Sequence, residues 1–245
     1  MQLNLSFLGF HKKIIIKMVG DKNNQKEKLK NSASVACKYD IQGQNNKIII
    51  VNEDGTEKVL TKNETIPGLK LKIIGNNNIL KFSSLAKFID ETIDIKTSDN
   101  LIEIGNVQSI IGCISIWNGN QQKFIWHSGP GSLRFARFFL CQENSSLEID
   151  KECLLSDVTV WTSDVHPLID LNTDKVLNDE ASHMIIGKNS WIATECILLK
   201  NAQIPEGSVV GARSVVTKAF TEKNTIIAGN PAKVIKKNIN WKVNF

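Results

Sequence analysis

His166 is followed by Pro167 and flanked by two acids, Asp164 and Asp170. A neutral imidazole titrates near pH 7 and can take a proton from a hydroxyl. Pro167 would stiffen the backbone behind the ring. Either carboxylate could orient it. The other histidines offer less: His183 precedes an apolar run, Met184-Ile185-Ile186, and reads as solvated, while His11 and His127 carry no motif. The five cysteines (37, 113, 141, 153 and 196) form no C-x-x-C pair and no Cys/His metal spacing. They read as free thiols in a reducing compartment, with no metal site among them.

The element that must position His166 is visible as a repeat of six. From Ile186 the chain divides into IGKNSW, IATECI, LLKNAQ, IPEGSV, VGARSV and VTKAFT. Each block opens on an aliphatic residue, and the fifth place is small (Ser190, Cys196, Ala202, Ser208, Ser214) until Phe220 ends the run. A period of six fits neither a helix nor a strand pair. It fits short strands joined by sharp turns, three to a coil, each coil burying its aliphatic ladder against the next. Blocks three apart should then stack, so that Ile149, Ile186 and Ile204 share a column and His166 lies above Gln203 and Thr221. Trp191 ends its block and is expected at a corner.

The frame continues upstream through Ile149 to His166. Residues 167–185 do not fit it and are read as a loop thrown out from a corner. Further upstream the pattern blurs over residues 41–146, although Asn46, Asn78 and Asn100 each precede alternating apolar residues. Asn tolerates a left-handed backbone at tight corners. Ser83 to Glu91 suits a short helix or another coil. The organisation expected is therefore a basic segment over 1–40 that the pattern does not place, irregular coils over 41–146, regular coils over 147–235 and a tail over 236–245. The fold class is all-β, a parallel β-helix.

The blocks from Ile186 to Lys218, followed by Ala228-Gly-Asn-Pro-Ala-Lys-Val-Ile-Lys236, resemble the hexapeptide-repeat acyltransferases. Trp161 to Asp170 (WTSDVHPLID) is similar to their sialic-acid and capsular-polysaccharide O-acetyltransferase branch. The resemblance implies a left-handed β-helix and a homotrimer with acetyl-CoA between neighbouring subunits. It implies acetyl transfer to a hydroxyl of a glycan sugar, sialic acid or a capsular or lipooligosaccharide sugar. It makes His166 the general base and puts Trp191 in the active site, as an N–H donor or an apolar wall. It assigns Ala193, Thr194, Ala212, Thr217 and Lys218 to the pantetheine arm and its surroundings, and Lys233 and Lys236 to the phosphates of CoA. Ala193 stands where the family usually has Gly, and lysines stand where many sugar acetyltransferases have arginine. Asn172, Asp174 and Asn178 in the loop could bond sugar hydroxyls.

The chain has 245 residues and a net charge of +5, concentrated at its ends: Met1 to Lys38 carries eight Lys against two acids, and Lys218 to Phe245 six Lys against one. A basic end suits an anionic ligand. The apolar run Leu3 to Phe10 precedes its Lys pair, the wrong order for a signal peptide, and no stretch is long enough to span a bilayer. A cytoplasmic protein is expected, with peripheral membrane association left open. No glycine pattern of a Rossmann or phosphate-binding loop occurs, and no basic-aromatic interleaving points to nucleic acid. The rival activity on the same fold is N-acetylation of an amino sugar or nucleotide sugar. A metal hydratase would need three histidines on adjacent coils, and only His166 is expected in one. An inactive interaction module would not retain the His-Pro, VVTK and GNPAK motifs together.

Overall fold

A computed structural model describes residues 38–129 and 131–243. The basic segment 1–40 and His11 thus lie almost wholly outside the described residues. Twenty-one strands and no helix occur among them, and all but Glu57–Val59 and Ala232–Lys236, which pair antiparallel, stack in parallel as a left-handed β-helix of three faces. The first face carries Trp191–Ile192, Val209–Val210 and Ile226–Gly229, and the second Ile197–Leu198 and Val215–Val216. The third is an eight-stranded sheet that includes His183–Ile186 and Gln203–Ile204. Strands Gly131–Leu140 and Leu154–Trp161 run across the corner between the first two faces and bend at Phe135 and Asp157, both with positive φ.

The hexad sequence explains the regular coils residue by residue. The first place of each block points inward: Ile186, Ile192, Leu198, Ile204, Val210 and Val216 are all buried. The fourth place makes the corner, with positive φ at Asn189, Glu195, Asn201, Gly207 and Arg213. The fifth place turns inward beside that corner, where space is short, and Ser190, Cys196, Ala202, Ser208 and Ser214 are buried there. Stacked coils then bury one continuous apolar column after another. One column contains Phe82, Ile104, Trp126, Ile149, Ile186 and Ile204. The expected stacking of Ile149, Ile186 and Ile204 is therefore present.

Three expectations change, and one open pair of readings is decided in favour of a further coil. His166 does not lie above Gln203: Ile185 occupies that place, and Ala219, not Thr221, lies below. The loop consumes His166 before the coil resumes. Trp191 is not at a corner but on the first face, where it begins a strand and points outward. Asn46, Asn78 and Asn100 do not adopt the left-handed backbone; Asn45, Asn77 and Asp99, one residue earlier, do. The three asparagines instead form a ladder. Asn78 donates to Asn46 Oδ1 (3.0 Å), Asn100 to Asn78 Oδ1 (2.8 Å), and the Gln122 amide to Asn100 Oδ1 (2.9 Å). Finally, Phe88–Ile95 is a strand, so Ser83 to Glu91 holds no helix.

The upstream blur has a simple cause. Regular coils repeat every 18 residues, as between Glu195 and Arg213, whereas upstream neighbours such as Asn77 and Asp99 are 22 apart. Between Ser146 and His183 the step is 37 residues, which marks the excursion. It leaves after Trp161 and returns at His183.

Candidate active site

The excursion leaves the edge between the second and third faces. Its neck is tied by one residue, Asn178. The Asn178 side chain donates to Asp164 Oδ2 (3.1 Å) and to the His166 carbonyl (3.0 Å), and accepts the Leu168 amide (2.9 Å). Lys200, one coil below, donates to the Asn178 carbonyl at 2.8 Å. Gln142, one coil above, accepts from Ser163 Oγ (3.1 Å) and donates to the Asp179 carbonyl. An amide read from sequence as a possible ligand contact is thus a structural tie. The signal for it, an Asn twelve residues after a His, is too general to find unaided.

Between the neck and the upstream coils lies a cleft of about 270 Å³, lined by Gln142, Glu143, Ser163, His166, Asn178 and Asp179 among others. His166 is exposed, and its ring has no hydrogen-bond partner among the described residues. Neither nearby acid holds it. The Asp164 carboxylate is taken by Asn178, and Asp170 accepts the amides of Asn172 (2.8 Å) and Thr173 (2.9 Å) within a loop turn. Those amides hold the Asp170 carboxyl below its ordinary range. Asp174, with φ of 56°, is another turn residue. Sequence reasoning passed over Val165. Its φ of 67° is strained for a β-branched side chain, and its amide donates to Ser163 Oγ (3.0 Å). Strain of this kind persists only where the surroundings impose it. It lies immediately before His166 and sets the direction in which the histidine leaves the coil.

The remaining candidates fall into groups. Trp191 stands outward on the first face. Ala193, Thr194 and Ala212 sit at the corner between the first and second faces, Ala193 buried and the other two exposed. Thr217 and Lys218 follow Val215–Val216 and so reach the edge from which the excursion leaves. Lys218 and Lys233 line a second cleft of about 280 Å³ with Phe220, and the Lys218 ammonium lies 5.6 Å from the Phe220 ring centre. Lys218, Lys233 and the exposed Lys236 form no ion pair among the described residues, whereas Lys223 and Lys237 are held by Glu206 and Glu222. Two free ammonium groups in one cleft, Lys218 and Lys233, suit a polyphosphate. The candidates therefore do not converge on one point of this chain; they divide between two corners and one face.

Other chemistries find less support. Burial pushes the Cys141 thiol up to about 11 and the Cys153 thiol to about 12, and raises Cys113 and Cys196 as well. None is poised as a thiolate nucleophile. The coils carry His127 and His183 rather than His166, contrary to expectation. His183 begins a strand, 2.9 Å from Ser146 Oγ, and His127 lies 2.7 Å from Glu148 Oε1. No group of three or more His, Cys, Asp or Glu suited to a metal occurs among the described residues. No helix among them is long and apolar enough to cross a membrane.

No protein-family profile matches the chain. A polysialic acid O-acetyltransferase of Escherichia coli O1:K1 / APEC is 30% identical over 107 residues, covering 43% of this chain and 34% of the relative. A chloramphenicol acetyltransferase of Klebsiella aerogenes is 43% identical over 58 residues, 24% of this chain and 27% of the relative. The chain thus spans about a third or less of the length of these curated relatives. Among solved structures, the polySia-specific acetyltransferase NeuO superposes with a TM-score of 0.64 at 24% identity, over 86% of this chain and 91% of that one. The repeat and the three-faced prism thus belong to the fold of that acetyltransferase structure, a left-handed β-helix.

Proposed function

We propose that the chain is an acetyl-CoA-dependent O-acetyltransferase that acts on a hydroxyl of a glycan sugar. The observation that carries this reading is His166: an exposed, unpartnered imidazole at the neck of an excursion, facing a polar cleft. In this reading His166 takes the proton of the acceptor hydroxyl. The oxygen then bonds to the acetyl carbon, the C–S bond breaks, and the sulfur leaves with the electron pair. Lys218, Lys233 and Lys236 hold the CoA phosphates, and the corner of Ala193, Thr194 and Ala212 lines the pantetheine arm. Trp191 walls the acetyl group or donates its N–H to the developing oxyanion.

Because the candidates occupy different corners, one prism does not gather them around a single thioester. A homotrimer does, with each cleft shared by two neighbours. The scattered free thiols Cys113, Cys141, Cys153 and Cys196 support a reducing, cytoplasmic setting. Transfer to an amine on an amino sugar remains the rival on the same fold, and assaying hydroxyl and amine acceptors side by side separates the two.

The test is His166→Asn. Its kcat should fall by about 10²- to 10⁴-fold with acetyl-CoA affinity nearly unchanged, the range for losing a general base. Turnover near the parent's in the purified variant removes His166 from the mechanism.

A further inference from the structure

Beside His166 the cleft holds two carboxylates, Glu143 and Asp179, and neither lysine nor arginine. Both are exposed, and neither carboxylate has an ion-pair or hydrogen-bond partner among the described residues. Several carboxylates of the regular coils are, by contrast, held by a cation. Glu195 is paired with Arg213 at 2.6 Å, Glu206 with Lys223 at 2.7 Å and Glu222 with Lys237 at 2.8 Å. Lys200, which lies close by, is turned to the Asn178 carbonyl.

Of the three amide side chains that line the cleft, Asn118 donates to the Cys141 carbonyl at 3.4 Å and the other two are committed. Gln142 bridges Ser163 and the Asp179 carbonyl, and Asn178 ties Asp164, His166 and Leu168. What remains open to a ligand is mostly acceptor, because an ionised carboxylate only accepts. Such a site takes hydrogen bonds from neutral hydroxyls. It repels a carboxylate carried by the ligand.

The cleft of Lys218 and Lys233, whose one carboxylate, Glu222, is paired with Lys237, opens further along the same edge, because Val160, Leu198 and Val216, just ahead of it, are paired in register. One edge of the chain therefore has an acidic end beside the proposed base and a basic end beyond it. An anionic donor and an acceptor of the same charge would not be sorted this way. Resting on the O-acetyltransferase reading, we infer that the sugar presented to His166 is uncharged, a neutral hexose or N-acetylhexosamine with adjacent hydroxyls, rather than a sialic acid.

The experiment compares kcat/KM of the full-length protein with acetyl-CoA on two acceptors, a neutral N-acetylhexosamine oligosaccharide and oligosialic acid. The neutral acceptor should be preferred by about tenfold or more, as two like charges at the mouth disfavour the other. The preference should shrink between roughly 0.05 and 0.5 M salt as screening grows. Glu143→Gln and Asp179→Asn should each narrow it by raising kcat/KM on oligosialic acid. Oligosialic acid used as well as or better than the neutral glycan overturns the inference and leaves the O-acetyltransferase reading standing. So does a preference that neither variant nor salt alters. Acetylation of an amine in place of a hydroxyl overturns it too. If no glycan is acetylated and no CoA is released, the parent reading falls and takes this one with it.

Discussion

At the scale of single residues, Glu91 is the least expected side chain in the molecule. It is 1% exposed, shares an inward column with Leu69, Ala136 and Val158, and its Oε2 has no hydrogen-bond partner. Gly112 is its register partner in the next strand. Burial, with a smaller contribution from Asp90, pushes its pKa from 4.5 up to about 9. The folded protein therefore keeps this proton while the unfolded chain loses it near pH 4.5. Between those two values the native state binds more protons, so stability falls as pH rises, by up to about 1.4 kcal/mol per unit. Below the lower value the contribution is fully present, and above the upper one it is fully lost. Glu91→Gln should raise the melting temperature clearly at pH 8 and hardly at all at pH 4.5. Parallel thermal scans at the two pH values measure this, and an equal gain at both would contradict the argument. In FIDETIDI, Glu91 is in phase with Ile93 and Ile95 and so faces inward with them, while Asp90 and Asp94 fall on the other phase; a bulge between Phe88 and Asp90 resets the alternation upstream.

The same contrast runs through the elements. The hexads were legible because one residue type repeats at each place for a physical reason: aliphatic inward, small beside the corner. The corner place itself was hidden, since Asn, Glu, Gly and Arg share it and only their φ values unite them. Asn46, Asn78 and Asn100 stand out in the sequence as equivalent places, but their ladder does not, and the left-handed corner lies one residue earlier. The excursion was located, yet its tie, Asn178, looked like any loop amide. The C-terminal tail carries a contact between parts of the chain 52 residues apart, which no spacing could suggest. Trp241 Nε1 donates to the Asn189 carbonyl at 2.7 Å, and its ring lies 5.9 Å from that of Trp191, tilted by 41°. Ile239 is hydrogen-bonded to Asn224 at 2.9 Å on the way. The tail thus climbs one edge of the prism and covers an outward-facing indole. Trp241→Ala should make tryptophan emission more accessible to iodide. It should cost about 1 kcal/mol, or a few degrees in melting temperature, the worth of one aromatic pair and one hydrogen bond. Unchanged quenching would mean that the tail does not shield Trp191 in solution.

For the whole molecule, the central matter is that the site candidates lie on separate corners. If His166 of one chain and Trp191 of its neighbour serve one cleft, two inactive variants should complement. His166→Ala and Trp191→Ala chains, dissociated together and reassociated, should recover part of the parent activity, while each alone recovers none. Recovery absent from mixed trimers would assign both residues to one chain. An active monomer by light scattering would remove the shared cleft altogether.

The closing strand has a consequence for how the protein behaves in a crowded solution. A parallel β-helix ends in a row of unpaired backbone groups, and such an edge accepts further strands, which is the geometry of fibre growth. Here Ala232–Lys236 folds back antiparallel on Ile226–Gly229 and takes the last edge position of its sheet. A strand laid against it next would have to continue a reversed direction beside Lys233 and Lys236 rather than extend the parallel stack. The hairpin is in effect a stopper: it lets coils grow along one axis within the chain and discourages the next chain from continuing them.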